Sequence, residues 1–463
     1  MDSCDIGVIG LAVMGQNLVL NMADKGFKVA VYNRTLSKVE DFVKNNKDNK
    51  NIVSSYSLED FFSKLKKPSI VMFMVQAGEP VDDLIEKTLP FLSKGDVVID
   101  GGNSYFEDTQ RRVLYLDGKE IFFVGMGISG GEEGARFGPS IMPGGNEKAW
   151  VIIKDIFEKI SAKVDDTSCC KWIGTGGSGH FVKMVHNAIE YADMQLIAES
   201  YDLLKNLANV SLNKMSNIYA DWNTQELNSY LIEITSKILA KKDDDNSFLI
   251  EKILDVAKQK GTGKWTSEVS LKYNIFANIL TEAVFMRFAS EMVDDRKTFS
   301  SVYPKERDEK VKIDKVRQAL YAAKIITYAQ GFMVMAKGAF ENGWKLDFAN
   351  IAQIWRGGCI IRSVFLNKIK EAYEKDPNLI SILLDDFFIN EVKENIYSLR
   401  KVVGKGIKGQ IPLSCFSASI SFFDSITQTD LPMNLIAAQR DFFGAHTYMR
   451  NDKPISETYH TQW

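Results

Sequence analysis

Four polar side chains recur at helical spacing near the middle of the chain: Lys183, His186, Asn187 and Glu190. At about 100° per residue, positions i, i+3, i+4 and i+7 lie on one face of a single helix. The residues between them are apolar, which predicts a buried helix whose polar groups need partners. An amine and a carboxyl group held there can act as base and acid, if burial lowers the amine pKa from about 10.4. The alternative is an ordinary solvent-exposed Lys–Glu face.

A glycine-rich segment at residues 125–135 offers a ligand close access to the main chain. It contains Ser129, Gly130 and Gly131, whose hydroxyl and N–H groups can surround an array of anionic oxygens. A plain turn is the alternative. Asn103 follows a predicted strand at 96–100, and open α/β sheets bind ligands at the carboxyl ends of their strands.

A glycine fingerprint near the N-terminus predicts a dinucleotide site. It lies between a predicted strand and a predicted helix, the context that gives the pattern meaning. The first glycine allows a tight turn, the last allows the helix to pack closely, and the helix N-terminus receives a pyrophosphate. The segment reads Gly10, Leu11, Ala12, Val13, Met14, Gly15, with alanine at the usual middle glycine.

The end of the second predicted strand indicates which dinucleotide is bound. An NAD enzyme places Asp or Glu there to bind the ribose 2′-hydroxyl, whereas this chain has Asn33, Arg34 and Thr35. Arg34 can form a bidentate contact with a 2′-phosphate, and its neighbours can donate further hydrogen bonds. The sequence therefore predicts NADP as the cofactor.

The elements that position these residues change character along the chain. Apolar runs at 6–9, 28–32, 69–75, 96–100, 121–124 and 171–173 alternate with helical segments and predict a parallel sheet covered on both faces. Long helical segments at 181–207, 225–239, 311–340 and 379–399 follow, so a domain boundary is expected near Gly177. Residues 183–191 resemble 323–330, which indicates either a duplicated bundle or two apolar helices that look alike.

Composition excludes several classes of protein. The chain has 463 residues, 25% of them charged, and a net charge of -3, so the basic excess of a nucleic-acid-binding protein is missing. It has no apolar run of about 18 residues, and its N-terminus lacks the positive start of a signal peptide. Five cysteines and four histidines without clustered spacing favour a cytoplasmic protein with reduced thiols and no metal site.

Five motifs together resemble the decarboxylating 6-phosphogluconate dehydrogenases, and the resemblance extends over essentially the whole chain. They lie at residues 10–15, 33–35, 127–135, 179–191 and 440–446. The resemblance implies a Rossmann-type α/β domain at 1–177, a large all-α substrate and dimerisation domain at 178–440, and a tail at 441–463 that docks on a partner subunit.

The resemblance also implies a reaction and the residues that perform it. The family oxidises and decarboxylates 6-phosphogluconate to ribulose 5-phosphate and CO2 with NADP, a step of the pentose phosphate pathway. Lys183 would act as general base and acid, and Glu190 as general acid. Implied substrate contacts are Asn103, Ser129, Gly130, Gly131, His186, Asn187, Tyr191, Lys260 and Arg287, with Arg440 and His446 from the second subunit of a homodimer. Implied cofactor contacts are residues 10–15, Asn33, Arg34, Thr35, Val75, Gln76, Ala77 and Asn103.

One position departs from the family pattern, and two other functions stay open. Many relatives have Lys in the turn where this chain has Gln76, which removes a cation from the cofactor site. A β-hydroxyacid dehydrogenase acting on an unphosphorylated short acid would share the glycine turn and the catalytic Lys. A protein that binds NADP without turnover would not need both Lys183 and Glu190.

Overall fold

The computed structural model describes residues 3–259, 261–305 and 307–463. The strands of its first part are β1 Ile6–Ile9, β2 Val29–Tyr32, β3 Ile52–Ser54, β4 Ile70–Phe73, β5 Val97–Asp100, β6 Phe122–Ser129, β7 Ser140–Gly145, β8 Lys163–Val164, β9 Thr167–Ser168 and β10 Gly174–Thr175. Eight of them form one sheet with strand order β10-β7-β6-β5-β4-β1-β2-β3, and β8 and β9 form a separate hairpin.

The order of the strands reverses beside β1, which pairs in parallel with β2 on one side and β4 on the other. Such a reversal opens a crevice at the carboxyl ends of the strands, the usual place for a dinucleotide. All pairs in the sheet are parallel except β6 with β7, which run antiparallel from Val124↔Gly145 to Ser129↔Ser140.

Helices cover both faces of this sheet. Alternation along β1 sends Ile6 and Val8 into one apolar cluster and Ile9 into the other, as expected for a strand buried on both sides. The helices are α1 Val13–Asp24, α2 Leu36–Asn45, α3 Leu58–Ser63, α4 Glu79–Thr88, α5 Phe106–Asp117, α6 Gly131–Phe137 and α7 Glu147–Ile160. The predicted Rossmann-type fold is confirmed.

The first helix shows how local sequence sets these boundaries. Gly26 follows α1 with a φ of 89°, and its N–H bonds to the carbonyl of Ala23 while that of Phe27 bonds to Met22. This pattern closes a helix with a glycine in the left-handed conformation. The chain is thereby redirected into β2, which brings residues 33–35 to the mouth of the crevice.

The second part is helical, and its largest apolar cluster surrounds two long helices, α8 and α14, that pack against each other. The helices are α8 Ser178–Asn206, α9 Leu212–Trp222, α10 Tyr230–Ala240, α11 Thr262–Lys272, α12 Asn278–Glu291, α13 Val293–Val302, α14 Ile313–Asn342, α15 Phe348–Trp355, α16 Leu366–Lys375, α17 Asp386–Lys408, α18 Ser414–Thr427 and α19 Met433–Gly444. None of the helices in the described ranges is long and apolar enough to cross a membrane.

Several predicted elements differ from the structure. The strand expected at 171–173 is displaced to β10, Gly174–Thr175, and the helix expected at 225–239 begins only at Tyr230. β3 and β7 were not predicted. β7 contains Pro143 and two glycines, residues that are depleted in strands, yet it lies inside the sheet between β6 and β10.

Candidate active site

Lys183 lies on the first turns of α8, where that helix passes over β6. Its side chain is buried, and its Nζ donates a hydrogen bond to Oδ1 of Asn187 at 2.8 Å. Gly127 of β6 makes this approach possible, because a Cβ there would lie 2.4 Å from the Cβ of Lys183. Burial lowers the pKa of Lys183, an effect that the Glu190 carboxylate opposes.

The amide of Asn187 organises the polar groups around this amine. Its Oδ1 receives Lys183 and lies 3.2 Å from Nδ1 of His186, while its Nδ2 donates to Thr262 Oγ1 at 3.0 Å. Thr262 begins α11, so a second helix fixes which end of the amide faces the lysine. The amine is thereby held by a neutral acceptor rather than by a carboxylate.

His186 connects α8 to Ser129, the last residue of β6. Its Nε2 lies 3.2 Å from the hydroxyl of Ser129, and its ring meets Trp355 edge-on at 5.5 Å. Burial holds the pKa of His186 well below its usual value, and the Lys183 ammonium acts in the same direction. A neutral ring with hydrogen on Nδ1 satisfies both contacts, since Nδ1 then donates to Asn187 and Nε2 accepts from Ser129.

Glu190 lies two turns beyond Lys183 on the same face of α8. Its Oε2 is 3.9 Å from Nδ1 of His186, and its side chain is 21% exposed. Burial raises the pKa of Glu190, although the charges of Lys183 and Arg287 act in the opposite direction. Burial therefore drives both ionisable groups toward their uncharged forms, a free amine and a carboxylic acid.

A cation lies at the outer end of this face. The guanidinium of Arg287, on α12, stands 4.7 Å from the ring centroid of Tyr191. Gly263 of α11 allows Tyr191 its place, because a Cβ there would lie 2.7 Å from the ring. Stacking on an aromatic face holds the guanidinium in a fixed direction, where its charge acts on Glu190.

A separate cleft of about 630 Å³ opens at the strand reversal beside β1. Its wall contains Gly10 and Ala12 at the start of α1, Arg34 after β2, and Gln76 after β4. Lys38 and Lys87 add two cations on the same wall. A helix N-terminus and three cations match an anionic dinucleotide with an additional phosphate.

The glycine turn at this cleft is tight. Gly10 has a φ of 111°, and a Cβ there would lie 2.4 Å from the carbonyl oxygen of Met74. A Cβ on Gly15 would lie 2.1 Å from the carbonyl oxygen of Gly10. The Leu11 N–H donates to Oδ1 of Asn33 at 3.0 Å, so Asn33 braces the turn. These contacts fit a backbone that must come close to phosphates.

Comparison with known proteins assigns the chain to a family. Residues 5–174 match the NAD binding domain of 6-phosphogluconate dehydrogenase, and residues 179–463 match the 6-phosphogluconate dehydrogenase C-terminal domain. The chain belongs to the 6-phosphogluconate dehydrogenase family.

Individual relatives cover nearly the whole length. The decarboxylating 6-phosphogluconate dehydrogenase of Haemophilus influenzae is 52% identical over 99% of this chain and 96% of its own, and the human enzyme is 51% identical over 100% and 97%. A Plasmodium falciparum 6-phosphogluconate dehydrogenase, studied in its apo form, with NADP+ and with 6-phosphogluconate, superposes with a TM-score of 0.96 at 44% identity, covering 99% of this chain and 100% of that one. These relatives support the prediction of a 6-phosphogluconate dehydrogenase over the β-hydroxyacid alternative.

The structure brings many of the predicted residues together in two groups. Around α8 it joins Lys183, Ser129, His186, Asn187, Glu190, Tyr191 and Arg287 through the contacts above. The wall of the cleft includes Gly10, Ala12, Asn33, Arg34, Thr35, Val75 and Gln76. The Asn33 amide also braces the turn and donates to the carbonyl of Thr35. The wall does not include Leu11, Val13, Met14, Gly15, Ala77 and Asn103.

Among the described residues, four other predicted ones, two in the tail and two in the glycine-rich segment, take no part in the contacts above. Lys260 falls outside the described residues. Arg440 on α19 and His446 just beyond it are exposed. Gly130 and Gly131 both have positive φ angles, and a Cβ on Gly130 would lie 2.5 Å from the carbonyl oxygen of Gly358. This close approach anchors the loop next to Ser129.

Three features of the site were missed. Thr262 gives no local signal, because its partner Asn187 is 75 residues away. Lys38 and Lys87 appear as surface lysines of two helices. Arg112 is almost fully buried and bonds Asp82 at 2.9 Å, with Asp100 at 3.4 Å, so it supports the loop that presents Asn103. No group of His, Cys, Asp and Glu in the described parts of the chain could hold a metal ion.

Proposed function

We propose that Lys183 and Glu190 perform the acid–base chemistry of an NADP-dependent, decarboxylating 6-phosphogluconate dehydrogenase. The chain is such an oxidoreductase by its family, and the assignment of roles to residues is our own. One observation supports it most: the buried Lys183 amine is hydrogen-bonded to a neutral amide, while a carboxyl group whose pKa is raised lies two turns away. Burial thus favours the uncharged amine of Lys183, which can act as a base, and the uncharged carboxyl group of Glu190, which can act as an acid.

In the first step, uncharged Lys183 accepts the proton of the substrate's C3 hydroxyl. Gly10, Ala12 and Arg34 would hold NADP in the cleft, and its nicotinamide would supply the hydride acceptor for C3. Ser129, His186 and Asn187 form a connected set of hydrogen-bonding groups beside the amine and can hold the carboxylate and hydroxyls of the sugar acid. The product of this step is a β-keto acid.

In the second step, the Lys183 ammonium polarises the new carbonyl and returns its proton to that oxygen as CO2 leaves. An enediol remains. Glu190 then donates its proton to the carbon that lost CO2, while Lys183 accepts the enediol hydroxyl proton and the ketone forms. Transfer of that proton from Lys183 to Glu190 restores both uncharged groups for the next turnover.

The phosphate of the substrate needs cations that α8 does not supply. Arg287 stands at the outer end of the site, and Lys260 belongs to the segment before α11. We propose that Arg440 and His446 of a second copy of the chain complete the phosphate site, in a homodimer. Leu435, Phe442 and Phe443 are each more than 60% exposed.

The C-terminal segment supports this arrangement in a second way. Among the described residues, α19 has only marginal contact with the other helices and strands. An exposed apolar helix of this kind needs a partner surface. A second copy is the partner that also places Arg440 and His446 at a site.

The fingerprint of the cofactor cleft supports NADP through Arg34, with Lys38 and Lys87 on the same wall. Gln76 lies there without adding charge.

All five cysteines are unpaired, which supports the further proposal of a cytoplasmic location.

The proposed function is tested with purified protein, 6-phosphogluconate and NADP. We expect NADPH absorbance and CO2 release in equal amounts. Gluconate and short β-hydroxyacids serve as competing substrates, and higher kcat/KM on any of them would reject the assignment.

In Arg34→Ala, the preference for NADP over NAD should fall while turnover at saturating cofactor changes little. An unchanged preference would remove Arg34 from cofactor selection.

A further inference from the structure

The C-terminal tail converges on a single buried carboxylate. Asp441 is fully buried, although most residues of α19 and of the tail after it are exposed. It lies directly after Arg440 and five residues before His446. A charged side chain without exposure in such a segment needs a full set of donors.

Four hydrogen bonds satisfy this carboxylate. Its Oδ1 accepts the Thr447 N–H at 3.0 Å and lies 2.9 Å from Nδ1 of His460. Its Oδ2 accepts the Thr461 N–H at 3.0 Å and the Trp463 indole N–H at 2.9 Å. Three of the four donors come from the last four residues of the chain. Asp441 therefore ties the end of the tail back to α19.

The loop that this carboxylate holds is strained on both sides of His446. Ala445 has a φ of 49° and Thr447 a φ of 59°, in the left-handed region that favours glycine. The Thr447 N–H is bound by the Asp441 side chain, and the Ala445 N–H by the Asp441 main-chain oxygen at 2.8 Å. Asp441 thus fixes both residues that set the direction of His446.

The tail itself forms a short antiparallel connection that returns the chain to Asp441. Tyr448 and Tyr459 exchange main-chain hydrogen bonds of 2.9 and 2.8 Å, and the Tyr448 ring lies 6.2 Å from that of Trp463. Burial acts to raise the pKa of Asp441, but its hydrogen bonds hold it at about 2. The carboxylate is therefore charged throughout the neutral range.

We propose that Asp441 is a positioning residue for phosphate recognition: it clamps the C-terminal tail so that Arg440 and His446 are presented together to the 6-phosphate of substrate bound by the partner subunit. This inference rests on the proposed function. Asp441 does not itself contact substrate. Its effect is exerted through the direction of its two neighbours.

The test compares two substrates in Asp441→Asn. An amide retains one acceptor oxygen and places an NH2 group against two donors, so half of the clamp is lost with no change of shape. We expect KM for 6-phosphogluconate to rise about ten- to a hundredfold, while kcat and KM for NADP change little. On gluconate, which lacks the phosphate, kcat/KM should equal that of the unmodified enzyme.

Two comparisons make the result specific. Asp452→Asn is the matched control, because Asp452 is an exposed tail carboxylate paired with Arg450 at 2.7 Å; it should leave both substrates unaffected. Trp463→Phe removes one donor to Asp441 and should raise KM for 6-phosphogluconate less. When Asp441→Asn and Trp463→Phe are combined, their effects on KM should be less than additive, since both remove parts of one contact.

The outcomes separate this inference from the proposed function. If His446→Ala and Arg440→Ala leave KM for 6-phosphogluconate unchanged, the proposed phosphate site is wrong. If those two variants raise KM and Asp441→Asn does not, the clamp is wrong. Equal losses on gluconate and 6-phosphogluconate, or a dimer that dissociates in sedimentation velocity, would reduce Asp441 to a structural role and overturn the inference.

Discussion

The packed helices α8 and α14 each bury a lysine, and the two lysines have different partners. Lys324 on α14 is fully buried and pairs with Oδ1 of Asp193 at 2.5 Å. Lys183 on α8 is 6% exposed and bonds the amide oxygen of Asn187 at 2.8 Å. The first amine has a carboxylate beside it, whereas the nearest carboxyl group on the helix of the second is Glu190, two turns away.

We propose that this difference suits only Lys183 to act as a base. A carboxylate within hydrogen-bonding distance stabilises an ammonium, and the pair of Lys324 with Asp193 joins the two helices. Asn187 offers Lys183 an acceptor without a charge, so burial lowers the pKa of Lys183. Burial alone does not make a lysine reactive; the charge of its hydrogen-bond partner decides.

The largest expected effect concerns turnover in Lys183→Met. Loss of the base that takes the C3 hydroxyl proton should lower kcat by about three to four orders of magnitude, with both ligands still bound. Lys324→Met, the matched control on the neighbouring helix, should change kcat little under conditions where it is folded. Stopped-flow NADPH absorbance and calorimetric ligand binding measure both. Near-normal turnover in Lys183→Met would show that Lys183 is not the base and does not differ from Lys324 in this respect.

The same two variants should show the reverse order in stability. Lys324→Met leaves Asp193 buried without its cation, which should lower the free energy of unfolding by about 3–5 kcal/mol. Lys183→Met leaves a neutral amide that keeps Thr262 as a partner, so the loss should be much smaller. Urea denaturation measures both values. Equal losses would show that Lys183 is as much a structural cation as Lys324.

The sequence alone predicts the surroundings of Lys183 in part, but it does not predict the partner of Lys324. Spacing within α8 was sufficient to predict that Lys183, His186 and Glu190 share a face, because the helix period is local. The partner of Lys324 lies 131 residues earlier in the chain, and the bond from Asn187 to Thr262 spans 75, so neither follows from local pattern.

The sheet shows the same limit. Its parallel strands were predicted from apolar runs between helical segments, but β7 was not. Pro143 and two glycines conceal this strand, which pairs with β6 and β10 and contacts α8. The domain boundaries at 177 and 440 and the duplication of the bundle stay predictions.

An intermediate effect is expected when Lys183 is given the kind of partner that Lys324 has. Asn187→Asp places a carboxylate near 2.8 Å from the amine, which should raise the pKa of Lys183. Because the base must be uncharged, kcat/KM is lost as pH falls through this pKa, so the acid limb should move to higher pH. Activity at neutral pH should then fall and partly recover in alkaline buffer.

Asn187→Ala separates this charge effect from a lost substrate contact. It removes the acceptor without adding a carboxylate, so KM can rise in both variants, but the acid limb should move upward only in Asn187→Asp. Full pH profiles of kcat/KM from both variants decide the matter. Identical limbs would show that the neutrality of residue 187 does not control the base.

The smallest expected effect tests what keeps the amide of Asn187 oriented. Thr262→Val preserves shape but removes the oxygen that accepts Asn187 Nδ2 at 3.0 Å. Loss of one such bond, about 1 kcal/mol, lets the amide rotate its NH2 group toward Lys183 and should lower kcat about fivefold. Thr266→Val is the matched control one turn later on α11, since its hydroxyl bonds the main-chain oxygen of Met184 at 3.2 Å and no group of the site. If both variants retain full kcat, the acceptor facing Lys183 is set by the lysine itself and α11 has no part in orienting it.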